Sequence, residues 1–112
     1  MRHENISKGV DIIILDSYMI SPNLSEFQAV LDKSLTDELG VLLLDFKEVV
    51  MIDSATIGYL FRIYKLSLQK DFKLKLVSIN PKIYETLEIM GLERLFDFYE
   101  NVDEALESLK YA

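Results

Sequence analysis

A chain of 112 residues, half of them hydrophobic and 28% charged, has the length and balance of one domain that buries a core. Its 19 acidic and 12 basic residues leave a net charge of −7, which argues against nucleic acid or an anionic membrane as partner and suits a partner with a basic or apolar patch. Cysteine is absent, so disulfides, thiol nucleophiles and thiolate metal sites are excluded.

The apolar run 41–44 falls far short of the roughly 20 residues that cross a bilayer. The opening Met1-Arg2-His3-Glu4-Asn5 turns polar at once and has no signal-peptide core, so the expected location is the cytoplasm. Residues 10–15, rich in β-branched side chains and entered through Lys8-Gly9, predict a buried strand that pairs with a short strand in residues 2–7. Pro22-Asn23 breaks the chain. Leu24, Phe27, Val30, Leu31 and Leu35 then recur at helical spacing, and Gly40 is expected to end that helix as a C-terminal cap. Residues 41–46 are apolar on successive positions, the pattern of a central parallel strand covered on both faces.

Asp53 or Ser54 is positioned to cap the next helix, which is expected to reach about Lys70 with Ile57, Leu60, Phe61, Tyr64 and Leu68 on its inner stripe. Residues 72–79 alternate like a strand near a sheet edge. Asn80-Pro81 places a cap and a first-turn proline in their preferred order. Ile83, Leu87 and Met90 form the buried side of that helix, and Gly91 stops it. A short strand near 96–99 follows. Asn101, with Glu104 three residues on, opens a last helix to about Lys110. Strands alternating with helices predict an α/β domain with a mostly parallel sheet.

Catalytic constellations are scarce. His3, the only histidine, falls in an edge segment. No Gly-rich phosphate loop can be written anywhere, and acidic pairs such as Glu85 with Glu88 are spaced for solvated helix faces. Asp45 ends a central strand, where a phosphorylatable carboxylate would sit. The acidic pair and later lysine of such a site are missing, so a strand-end acid capping a turn is expected. No cofactor, metal site or enzymatic activity is expected. In 51–60, Ser54 lies at a helix start, where free N–H groups and the helix dipole favour an added negative charge. Gly58 sits inside the helical pattern, which is explained if another backbone approaches closely.

Asp53-Ser54-Ala55-Thr56-Ile57-Gly58 resembles the Asp-Ser-(Ser/Thr/Ala)-Gly-Leu-Gly segment of STAS domains, the fold of bacterial anti-sigma factor antagonists and of sulphate-transporter tails. Ile79-Asn80-Pro81, Met90-Gly91-Leu92, Phe98 and 102–106 match the family's later landmarks in order, so that the likeness spans roughly residues 8–110. The resemblance implies a single STAS domain over 1–112, with four to five strands and about four helices. It implies an anti-sigma factor antagonist of the partner-switching type. Such a protein binds an anti-sigma factor that is also a serine kinase, is released when Ser54 is phosphorylated, and is restored by a serine phosphatase. Asp53, Ser54, Ala55, Thr56, Gly58 and Tyr59 would form the contact face of a monomer or weak homodimer. The other implied role is a non-phosphorylated scaffold or transport-associated subunit in which Ser54 only caps its helix. Thr56 stands where the family usually has glycine, which would put a β-branched side chain beside the phospho-site. Ser17-Tyr18-Met19-Ile20-Ser21 also lacks the aspartate that the family commonly carries in that loop.

Overall fold

A computed structural model describes residues 1–111. Two adjoining strands, β1 (Arg2–Ser7) and β2 (Val10–Ile14), pair antiparallel. The turn between them depends on Gly9, whose φ of +76° is open to glycine at little cost and whose added Cβ would stand 3.0 Å from the Glu38 carbonyl. The Gly9 carbonyl accepts from the N–H groups of Gly40 and Val41, which starts β4 (Val41–Asp45) alongside β2. β4, β6 (Lys73–Val77) and β7 (Asp97–Tyr99) continue the sheet in parallel, in the order β1-β2-β4-β6-β7. Two short strands, β3 (Tyr18–Met19) and β5 (Met51–Ile52), form a separate parallel pair.

Alternation along the strands divides the core in two. Ile13, Leu15, Leu42, Leu44, Leu74 and Leu76 pack with Phe27, Val30 and Leu31 of α1 (Leu24–Ser34), Leu60 and Ile63 of α2 (Ser54–Lys70) and Ile83 of α3 (Pro81–Ile89). On the opposite face, Val10, Ile12, Ile14, Val41, Leu43 and Val77 pack with Ala105 of α4 (Val102–Ser108). Each central strand is therefore buried on both sides, and this is why β2 and β4 show no polar alternation in sequence. The architecture is the α/β one expected, a five-stranded and mostly parallel sheet with four helices.

Several local expectations are corrected. α1 ends at Ser34, not at Gly40, which serves the β1–β2 turn instead. β6 lies between β4 and β7 and is interior. Its edge-like alternation comes from Lys75, only 4% exposed, whose ammonium donates to the Tyr99 hydroxyl at 3.0 Å and to Asp97 at 3.4 Å. Pairing of this kind is what lets a charged group stay buried. Leu68 and Met90, placed on inner stripes, are 66% and 46% exposed, while Ile63 and Ser67 complete the buried side of α2. Asp45 does turn back to accept from the Lys47 N–H at 2.9 Å.

Candidate functional site

The segment 51–58 leaves the sheet through β5 and enters α2. Asp53 is the N-cap: its backbone is extended (φ −102°, ψ 171°), and its Oδ1 accepts from the Thr56 N–H at 2.9 Å. Its other oxygen accepts from the Ser21 N–H at 2.7 Å, which ties the 18–21 loop to the helix start. Those donors, Thr56 first and then Ser21, hold the Asp53 carboxyl below the ordinary carboxylate range. It is therefore ionised at neutral pH. Asn80 makes a parallel tie, since Oδ1 caps α3 at the Ile83 N–H and Nδ2 donates to the Val49 carbonyl at 3.0 Å.

With Asp53 as the cap, Ser54 is the first residue of α2, and it is exposed. The cap takes the Thr56 N–H, so the N–H groups of Ser54 and Ala55 are the helix-start donors left to serve an anion. The residues grouped around Ser54 do not share one face. Ala55 is exposed, and Gly58, about 40° round the helix from Ser54, is exposed beside it. An added Cβ at Gly58 would meet nothing within 4 Å, so close approach of a backbone within this chain is not what the glycine serves. Thr56 is only 1% exposed. Its side chain is therefore covered and offers little surface to a partner, unlike that of Ser54. Tyr59 lies about 140° round from Ser54 and is half-buried against Phe27, with ring centres 5.1 Å apart in an edge-to-face arrangement.

A feature missed in the sequence adjoins this site. In the β3–β5 pair, Tyr18 stands opposite Met51 and Met19 opposite Ile52. Met19 is buried, whereas Tyr18 and Met51 are 54% and 52% exposed, next to Val50 at 61%. Two-residue strands are too short to carry a readable period, so only the large apolar residues themselves hinted at this surface. His3 is not part of it; its Nε2 lies 2.8 Å from Asp11 on the opposite side of the β1–β2 ladder. Among the described residues, no helix is long and apolar enough to cross a membrane, and no group of three or more His, Asp or Glu side chains is placed to hold a metal.

This chain belongs to the STAS domain family, whose model matches residues 4–105. Within that family, the chain is similar to curated proteins described as anti-sigma factor antagonists, two of them only provisionally. The anti-sigma F factor antagonist of Paenibacillus polymyxa is 29% identical over 69 residues, which cover 62% of this chain and 59% of that protein. Among solved structures, a Thermotoga maritima protein provisionally described as an anti-sigma factor antagonist superposes with a TM-score of 0.84 at 22% identity, over 97% of this chain and 93% of that one. The phosphorylated form of the Bacillus cell fate determinant SpoIIAA gives 0.75 at 13%, over 96% and 97%. A sulfate transporter family protein from Wolinella succinogenes gives 0.81 at 21%, over 96% and 90%. These low-identity likenesses show that the fold is shared between regulators and transport proteins.

Proposed function

We propose that this domain is a cytoplasmic anti-sigma factor antagonist that binds an anti-sigma factor with serine-kinase activity and is released by phosphorylation of Ser54. The observation that carries the reading is the exposed hydroxyl of Ser54 on the first turn of a 17-residue helix whose cap is a different residue, Asp53. Ser54 is thus free of a capping duty. Asp53, Ala55 and Gly58 surround it, and Tyr18, Val50 and Met51 supply apolar surface beside it. A partner that meets this patch would bury the apolar side chains and bring its own groups against Ser54.

A phosphate there adds about −1.5 to −2 charge. The free N–H groups of Ser54 and Ala55 favour it, while the ionised Asp53 alongside opposes it, so the charge is directed outward into the interface. A penalty of about 3 kcal/mol at the contact lowers affinity roughly a hundredfold. A serine phosphatase would reverse the step.

Incubation with an anti-sigma factor kinase and ATP tests this directly. Wild type is expected to take up one acid-stable phosphate and Ser54→Ala none. Ser54→Asp should bind the kinase about a hundredfold more weakly than wild type. Equal labelling of wild type and Ser54→Ala would remove Ser54 from the mechanism. The transport-associated alternative rests on the fold shared with the Wolinella succinogenes protein, and it requires that Ser54→Asp bind its partner as wild type does.

A further inference from the structure

On the three-helix face of the sheet, Leu31 of α1 and Ile63 of α2 belong to one core cluster, and the Phe27–Tyr59 ring pair joins the two helices. Between their outer surfaces is a cleft of about 340 Å³, within the range of roughly 300–1,000 Å³ that small-molecule sites occupy. Its floor is apolar, built by Leu31, Ile63 and Leu66. Its rim is charged, with Asp32 on α1 and with Arg62 and Lys65 on α2. Arg62 and Lys65 are three residues apart and so neighbours on one side of the helix.

Like most lysines and arginines of this chain, the two cations have no ion-pair partner among the described residues. Neither Arg62 nor Lys65 lies within 4.0 Å of a carboxylate oxygen there. The Lys65 ammonium rests 5.0 Å from the centre of the Phe61 ring instead. Burial, and then the nearby Asp32 charge, push the Tyr59 phenol up, so at neutral pH it remains a hydroxyl able to donate. A guanidinium, an ammonium and a phenol O–H beside apolar side chains suit an anionic group on a hydrocarbon or aromatic body, of which a carboxylate is the simplest. Arginine grips a carboxylate through two parallel hydrogen bonds, which a lone ammonium does not.

We propose that the α1–α2 cleft is a binding site for a small anionic amphiphile, its carboxylate held by Arg62 with Lys65 and its apolar body laid over Leu31, Ile63 and Leu66. This site is distinct from the face of Ser54. It depends on no phosphorylation.

Octanoate is a suitable probe, with octylamine as a control that has the same apolar body and the opposite charge. Titration of isotope-labelled protein should give saturable octanoate shifts confined to residues 31–35 and 59–69. Arg62 and Lys65 are exposed, so Arg62→Gln and Lys65→Gln leave the core intact. Arg62→Gln is expected to weaken octanoate about tenfold, the order of one charge-assisted bond, and Lys65→Gln less. Asp32→Asn removes the one repelling carboxylate of the rim and should tighten binding. The site is overturned if octanoate gives no saturable shifts, if octylamine binds as tightly, or if Arg62→Gln binds octanoate as wild type does. A loss of affinity in Asp32→Asn would overturn the charge argument on which the assignment stands.

Discussion

Asp11 is an acid set inside a strand whose other members are valine and isoleucine, and it is only 9% exposed. Burial alone would raise its pKa. Hydrogen bonds from Asn5 Nδ2 at 2.9 Å and from His3 at 2.8 Å more than offset that, and the carboxyl ends below its ordinary value of 3.8. The folded chain thus binds a proton at Asp11 less readily than the unfolded chain does. The stabilisation is fully present above pH 3.8 and is lost as the pH falls below that value through the depressed folded-state pKa. Asp11→Asn removes this titration. Urea unfolding at a series of pH values should show the variant less stable than wild type at neutral pH, with the gap closing below about pH 4. A gap that stays constant down to pH 2 would mean that the carboxylate's charge is not what Asn5 and His3 hold. The same ladder shows that His3, unassigned on sequence grounds, is a structural partner of Asp11.

At the scale of elements, helix ends decide where the site residues stand. α2 closes at Asp71, which adopts a left-handed conformation (φ 57°, ψ 49°) with the Phe72 N–H turned back to the Ser67 carbonyl. Glycine enters that conformation at less cost, so Asp71→Gly should raise stability by about 0.5–1 kcal/mol, seen as a higher urea midpoint at unchanged slope. Asn80 caps α3 and also donates to the Val49 carbonyl, just ahead of the exposed Val50 and Met51. Asn80→Ala is expected to cost about 1 kcal/mol from the cap and more if the Val49 carbonyl finds no new donor. Amide exchange should also quicken at 49–52. The caps at Asn80 and Asn101 were legible because a side-chain oxygen followed by a free N–H three residues on is a local pattern. The end of α1 was not. Gly40 resembles a C-cap in sequence, but its place is fixed by the Gly9 carbonyl, a contact across 31 positions that no local pattern carries. Lys75 misled in the same way: its charge suggests an edge, and only Tyr99 and Asp97, on a neighbouring strand, make its burial tolerable. Tyr59 lies on the α2 helix that carries Ser54, yet the helical turn carries it into the α1–α2 cleft, apart from Ser54.

For the molecule as a whole, the sheet covered on both faces keeps the core apart from the proposed switch residue. The core contacts run through Leu42, Leu43, Leu44, Leu60 and Leu76, all fully buried, while Ser54 stands outside them at the mouth of α2. A negative charge at Ser54 gains about 0.3–1 kcal/mol from the helix dipole. It is opposed by Asp53 one residue away, whose ionised carboxylate already accepts from the Thr56 N–H of the same helix start. The two effects oppose each other at an exposed position, where water screens both. Ser54→Asp should therefore change the unfolding free energy by less than about 1 kcal/mol, the range usual for surface substitutions near a helix start. Leu60→Ala, on the inner side of the same helix, should cost about 2–5 kcal/mol. Urea melts of the three proteins, read beside kinase binding, separate the possibilities. A Ser54→Asp variant that keeps wild-type stability but loses partner affinity places the switch at the interface. One that unfolds as easily as Leu60→Ala would mean that the charge acts by melting α2, and an interface that toggles on a constant fold would have to be abandoned.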